Sequence, residues 1–219
     1  MAIDTQKLAL YLVTDPDLCA SFGLIETVKA AVAGGVSTVQ LRDKNASTAQ
    51  MIQHALALQP ILATNNVPLI INDDVEAAIA CDADGIHVGQ DDLDVVRVRH
   101  EIGRDKIVGL SVETAEAALI VDAGIVDYIG ISPIFATQTK IDHKPPVGFD
   151  GLIDIVASSP VPSVAVGGLN ADHCKQVFAA GAAGIAVVSA ICGKNDPFKA
   201  TAAIRQQIDL VKKEVKNDL

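Results

Sequence analysis

The sequence predicts a (β/α)8 barrel in one domain spanning residues 1–219, an α/β architecture, and three observations point to it. Eight short runs rich in Val, Ile and Leu alternate with longer stretches of helical periodicity. Several of these runs, such as Leu69-Ile70-Ile71, are continuously apolar, as strands covered on both faces must be. The first run ends Val13-Thr14-Asp15-Pro16, without the Gly-rich fingerprint that opens a doubly wound sheet. Barrels of this TIM type need about 200 residues or more, so a chain of 219 must keep its loops short.

The strands are expected at residues 8–14, 38–42, 68–72, 85–88, 106–111, 128–131, 163–166 and 184–188. Helical faces fill the gaps: Ile25, Val28 and Val32 share one, and Ile204, Ile208, Val211 and Val215 another. Ala33-Gly34-Gly35, Ala123-Gly124 and Ala180-Gly181 read as helix ends, where glycine takes the left-handed cap. Their recurrence is the trace of an internal βα repeat.

Composition narrows the function. Half of the residues are apolar and aromatics make up 3%, so the core is aliphatic. Lys plus Arg number 17 against 27 Asp plus Glu, a net charge of −10, and no basic run supports nucleic-acid binding. A phosphorylated substrate would have to be drawn by local cations, backbone amides or a metal. Cys19, Cys81, Cys174 and Cys192 form no zinc spacing and read as free thiols in a reducing compartment. No stretch has the length of a signal peptide core or a membrane helix, so a cytoplasmic protein is expected.

Sites in such barrels are built at the C-terminal ends of the strands. After the second strand, Gln40-Leu41-Arg42-Asp43-Lys44 places two cations on one side of an extended chain, which suits a polyphosphate. Alone, a solvated loop of mixed charge is the simpler reading. The third and fourth strands are followed by Asn72-Asp73-Asp74 and Gly89-Gln90-Asp91-Asp92. Each could be a helix cap. Adjacent strands lie about 4.8 Å apart, however, and one carboxylate from each can reach a shared Mg²⁺.

Ser111 ends the fifth strand, either as a substrate hydrogen-bonding group or as a helix cap. The sixth strand is followed by the longest irregular stretch, 132–150, with Thr137-Gln138-Thr139-Lys140 at its centre. Long loops in compact domains are often lids. Gly167-Gly168 follows the seventh strand, and Val188-Ser189 ends the eighth. Those two positions, with a short helix N-terminus, form the recurrent phosphate site of barrels; a tight turn and a cap are the plainer readings. Of five histidines, His87 alone sits in a strand, as an acid–base group or as a hydrogen-bonded piece of pocket wall.

Two anion sites in one mouth imply two phosphorylated substrates. Taken in order, these motifs resemble the bacterial thiamine-phosphate synthase family. The resemblance runs from Leu10-Tyr11-Leu12-Val13-Thr14-Asp15 through the motifs above, Gly85-Ile86-His87-Val88 and Pro133-Ile134-Phe135 included, to Val188-Ser189. It implies a transferase of thiamine biosynthesis: a hydroxymethylpyrimidine diphosphate loses diphosphate and a thiazole ethyl phosphate, plain or carboxylated, takes its place. It further implies that Gln40, Arg42, Lys44, Asn72, Ser111 and Lys140 contact the pyrimidine diphosphate, with Arg42, Lys44 and Lys140 acting in catalysis. Asp73 and Asp92 would hold Mg²⁺. Thr137, Thr139, Gly168, Val188 and Ser189, with Gly167 beside them, would hold the thiazole phosphate. Ala136 departs from the family, which often has Pro there, and Asp43 and Gln138 fill variable positions.

An electron-rich aminopyrimidine can delocalise positive charge, so a dissociative path suits the chemistry, and a thiazole nitrogen has no proton to lose. That explains why no acid–base dyad stands out. Alternatives are a thiazole tautomerase relative, which would not need a metal–diphosphate site, and a non-catalytic barrel that senses thiamine precursors. A sugar-phosphate isomerase or aldolase rests on fold analogy alone. The oligomeric state, a homo-oligomer included, is left open.

Overall fold

The computed structural model describes residues 3–89, 94–137 and 145–217. Eight parallel strands close into a barrel in sequence order: β1 (Leu10–Val13), β2 (Thr38–Leu41), β3 (Leu69–Asn72), β4 (Gly85–Val88), β5 (Ile107–Val112), β6 (Tyr128–Ile131), β7 (Ser163–Val166) and β8 (Gly184–Val187). β8 pairs with β1, Ala186 opposite Tyr11, so no edge remains. Every expected strand is present within a residue or two of its expected ends.

The helices are α1 (Thr5–Leu8), α2 (Pro16–Cys19), α3 (Leu24–Ala33), α4 (Thr48–Thr64), α5 (Val75–Ala80), α6 (Val95–Ile102), α7 (Ala115–Leu119), α8 (Gly148–Ser158), α9 (Cys174–Ala179) and α10 (Pro197–Asn217). Val28, Val32, Ile204 and Ile208 are buried in the core between strands and helices, and Val211 is buried too, as their spacing predicts. Gly35 and Gly181 take positive φ after α3 and α9. Ala123-Gly124 is a correction. α7 already stops at Leu119, and Gly124 instead donates its N–H to the Asp122 carboxylate in a turn.

Two apolar layers result. The larger lies between strands and helices; a smaller one, with Leu8, Tyr11, Val13, Ile70, Tyr128, Val164 and Ala186, fills the barrel. Alternate strand residues point inward. Because most βα connections are short, polar residues crowd the C-terminal ends of the strands. Asp15, Ser47, Asp74, Asp94 and Thr114 cap the next helix with side-chain hydrogen bonds. Their neighbours are left for the mouth.

The opposite end is held by a polar bracket. Arg99 pairs with Asp127 at 2.6 Å and donates to the carbonyls of Ile125, Gly103 and Lys106. Asp127 also accepts the Val108 N–H. Both side chains are under 20% exposed, so removing one partner strands the other's charge. Arg99→Ala is expected to cost about 3 kcal/mol and roughly 6–12 °C of melting temperature in a chain of this size. Thermal unfolding checks this; kcat at 25 °C should stay unchanged, because the bracket lies at the end away from the mouth.

Candidate active site

A cavity of about 1100 Å³, open mouth included, occupies the C-terminal end of the barrel. Gln40, Arg42, Lys44, Asn72, Asp73, Ser111, Thr137, Gly167, Gly168, Val188 and Ser189 all line it. Asp92, Thr139 and Lys140, expected beside them, lie outside the described residues.

The cationic wall is set by backbone, not by chance exposure. Fully buried Thr14 accepts the Arg42 N–H with its hydroxyl oxygen and donates its proton to the Arg42 carbonyl. This pins the end of β2 whatever the Arg42 side chain does. Asp43 accepts the N–H groups of Asn45 and Ala46, turning the chain back toward α4. Arg42 and Lys44 are thereby left on the cavity wall.

Asp73 and Asp74 play different parts. Asp74 caps α5 by accepting the Ala77 N–H. Asp73 adopts φ +64°, a region that costs a non-glycine residue and that Asp tolerates better than most. Its N–H donates to the His87 carbonyl, and its carboxylate sits 3.2 Å from the Lys44 ammonium. The turn aims Asp73 at the mouth. Ser111 is not a cap, since Thr114 serves α7. Its hydroxyl instead meets His87 Nε2 at 3.0 Å.

The far wall is built by two glycines and the loop after β6. Gly167 and Gly168 have φ of +106° and +66°. A Cβ on Gly168 would lie 2.8 Å from Phe135 Cβ, and one on Gly167 would lie 2.9 Å from Pro133. Phe135 N–H donates to the Gly167 carbonyl, and Ile134 N–H to that of Val166. The loop's first residues therefore lie directly on these glycines, which the sequence did not reveal. Both ends of the loop are tied, since Val147 and Gly148 donate back to the carbonyls of Pro133 and Ile134. Phe135 also meets Phe149 and His173 in an aromatic cluster.

After β8 no helix begins at Ser189, contrary to the barrel expectation. The Val188 carbonyl accepts the N–H groups of Ile191 and Cys192 in a turn, and the next helix starts at Pro197. After β7 a 3-10 turn, Ala171–His173, capped by Asn170, leads directly into α9.

The floor joins Gln40 and His87, both read from the sequence and His87 as hydrogen-bonded pocket wall, to a tyrosine pair that the motifs do not reveal. Tyr11 and Tyr128, the chain's two tyrosines, are buried and share a hydrogen bond of 2.7 Å. Gln40 Nε2 donates to Tyr11 at 3.0 Å, and Tyr128 meets His87 Nδ1 at 3.0 Å. Burial raises both phenol pKa values well above the ordinary 10, so both stay protonated. The register places His87 opposite Gly109 and Gly109 opposite Tyr128. A Cβ on Gly109 would overlap the Tyr128 ring and crowd His87 Nδ1. This glycine leaves room for the two rings to meet across it.

The cavity thus offers cations and a carboxylate on one wall, small residues on the other and a hydrogen-bonding floor with two protonated phenols. That arrangement can hold two anionic groups at opposite sides of two aromatic rings. The family model described as thiamine monophosphate synthase matches residues 10–191. The chain is 45% identical over 206 residues to thiamine-phosphate synthase of Albidiferax ferrireducens, covering 94% of each. It is 46% identical to thiamine-phosphate synthase of Psychrobacter sp., covering 91% of this chain and 95% of that one. Among solved structures, thiamine phosphate pyrophosphorylase from Pyrococcus furiosus superposes with a TM-score of 0.85 at 35% identity, covering 94% and 98%. The chain belongs to the thiamine monophosphate synthase family.

Proposed function

We propose that the cavity joins a hydroxymethylpyrimidine diphosphate to a thiazole ethyl phosphate, releasing diphosphate and forming thiamine phosphate. Membership of the family supports the reaction. The observation that carries the residue assignment is the convergence of Arg42, Lys44 and Asp73 on one wall, with Gly167, Gly168, Val188 and Ser189 also lining the mouth.

The residues present fit Mg²⁺. Asp73 is a partly exposed carboxylate beside the cations. Among the described residues no cluster of three or more His, Cys, Asp or Glu forms a closed cage. A Mg²⁺ that keeps waters and binds one or two carboxylates plus substrate phosphates needs this kind of donor set. Asp73 would hold it, with Asp92 as the second carboxylate implied by the resemblance. Bound there, the ion supplies charge neutralisation to the departing diphosphate.

The chain's own residues do the rest. Arg42 offers a planar fork and Lys44 a point charge to the diphosphate oxygens as negative charge builds on them. The C–O bond breaks with its electron pair leaving on diphosphate, and the aminopyrimidine ring shares the positive charge. The lone pair of the thiazole nitrogen then forms the C–N bond, with no proton to remove. Positioning of the two rings and exclusion of water carry the rate. Thr137 lies in the 132–150 loop that would cover the site, with Thr139 and Lys140 as further ligands. A proton-shuffling tautomerase has no use for this cationic wall. The fold has no described helix long and apolar enough to cross a membrane, in keeping with a cytoplasmic biosynthetic role.

The test is diphosphate release with both substrates and Mg²⁺. Release that requires both substrates supports the reading. Binding of either substrate without release would make the barrel a sensor instead. Asp73→Asn should shift the Mg²⁺ activation curve upward by roughly tenfold or more; an unchanged curve removes Asp73 from the metal.

A further inference from the structure

We propose that Cys19 and Cys192 are a dithiol pair that a peroxide oxidises to a disulfide, and that this bond pulls on the turn after β8 and weakens the hold of the cavity on the thiazole phosphate. The oxidation site stands on the fold alone. Its effect on that substrate rests on the reading above.

Barrel closure brings the two thiols together. Cys19 ends α2, just after β1, and Cys192 lies in the turn after β8. Cys192 Sγ is 3.8 Å from the carbonyl oxygen of Val13, the last residue of β1, and its thiol meets that of Cys19 in a hydrogen bond. The backbones on either side pack as well. Gly193 has φ +77°, and a Cβ there would touch Leu18 Cδ2 and the Leu18 carbonyl at 3.5 Å. Cys81 and Cys174 are also buried free thiols, but burial pushes both pKa values up and so keeps them protonated.

The surroundings decide which sulfur reacts first. The Cys192 proton can turn from the Val13 carbonyl to the Cys19 sulfur. Thr27, on α3, holds a buried hydroxyl with no other partner and faces the same sulfur. These donors favour a Cys19 thiolate: the bond from Cys192 leads in drawing the Cys19 pKa below the ordinary thiol value. Cys192 moves up, through the same bond and through burial.

The chemistry balances in two steps. The Cys19 thiolate attacks one peroxide oxygen, the O–O bond breaks, and hydroxide leaves a sulfenic acid behind. The Cys192 sulfur then attacks the Cys19 sulfur; the S–S bond forms, the S–O bond breaks, and the departing hydroxide takes the Cys192 proton. Two thiols lose two electrons and two protons, and the peroxide is reduced to two waters. Both thiols are buried, yet the cover is slight. Cys19 closes a single-turn helix, and the next three residues are exposed. Opening one such turn costs far less than global unfolding.

A disulfide holds its sulfurs at about 2.05 Å, well inside hydrogen-bond contact, so one backbone must move. Asp15 braces the α2 side by accepting the Leu18 N–H. The other side hangs from the Val188 carbonyl through the Ile191 and Cys192 N–H groups. The shift therefore falls on the turn that carries Val188 and Ser189, which line the cavity. Arg42 and Lys44 follow β2 and keep their places.

The experiment treats the folded wild-type chain with hydrogen peroxide and maps its peptides. A Cys19–Cys192 link that dithiothreitol reverses is expected, with Cys81 and Cys174 still thiols; Cys19→Ser and Cys192→Ser should each lose the link. A sulfinic acid on Cys19 without a link, a link to another cysteine, or a link that forms only in urea overturns the pair. In the second arm the oxidised wild type should show a KM for thiazole phosphate raised about tenfold or more. The KM for the pyrimidine diphosphate should hold, and peroxide should change neither KM in Cys19→Ser. A link with both KM values unmoved overturns the effect on the site. Absence of turnover in the reduced chain, with the link still forming, overturns the assigned reaction and leaves the dithiol pair standing.

Discussion

Arg42→Ala is expected to lower kcat for diphosphate release about 10²–10³-fold while changing stability by less than about 1 kcal/mol. The two effects separate because of how the residue is held. Thr14 grips the N–H and carbonyl of Arg42, not its guanidinium, so the end of β2 keeps its course when the side chain is lost. Arg42 lines the cavity, as do Lys44 and Asp73. In the proposed reaction its planar fork would meet phosphate oxygens whose charge grows as the C–O bond breaks, so its loss should fall on kcat more than on KM. Arg42→Lys should recover part of the rate, since charge returns without the fork. Rapid measurement of diphosphate release, paired with thermal unfolding, checks both halves. An unchanged rate would take Arg42 out of the reaction.

Gly168→Val should raise the KM for thiazole phosphate about a hundredfold, ~2.7 kcal/mol of lost binding, and lower stability by roughly 2 kcal/mol. At φ +66° a β-branched residue is strained. Its Cβ would also press on Phe135 Cβ and lie 3.1 Å from the Ala136 carbonyl. The neighbour that must give way is backbone-anchored loop, not a flexible tip. Displacing it disturbs the side of the cavity that Gly168 lines, while the Arg42 wall stands on other strands. The KM for the pyrimidine diphosphate should move much less. A defect confined to that substrate would put the thiazole phosphate elsewhere.

The barrel was legible because its strands are covered on both faces, so that runs such as Leu69-Ile70-Ile71 carry the signal without any need for pairing information. Mouth residues were legible for the same topological reason: once strand ends are known, the residues just beyond them must face the opening. Blocks of like residues were harder to divide. Asn72-Asp73-Asp74 reads as one acidic patch, yet backbone geometry gives Asp74 to a helix cap and turns Asp73 to Lys44. The floor was legible only in part: His87 reads as a hydrogen-bonded piece of pocket wall, which its bonds to Tyr128 and Ser111 bear out, but the tyrosine pair does not show in the motifs. Tyr11 and Tyr128 are 117 positions apart and meet only through barrel closure. The available signal was that the chain's two tyrosines both occupy inward strand positions, with Gly109 opposite one of them. The Arg99–Asp127 bracket escaped for a similar reason, since its worth lies in burial that spacing does not display.

The most direct measurement is a crystal structure of the enzyme with thiamine phosphate, diphosphate and Mg²⁺. The account predicts diphosphate against Arg42 and Lys44, the metal on Asp73, and the product's phosphate on the Gly168 and Ser189 side. Both anions on one wall, or a metal bound away from Asp73, would contradict it.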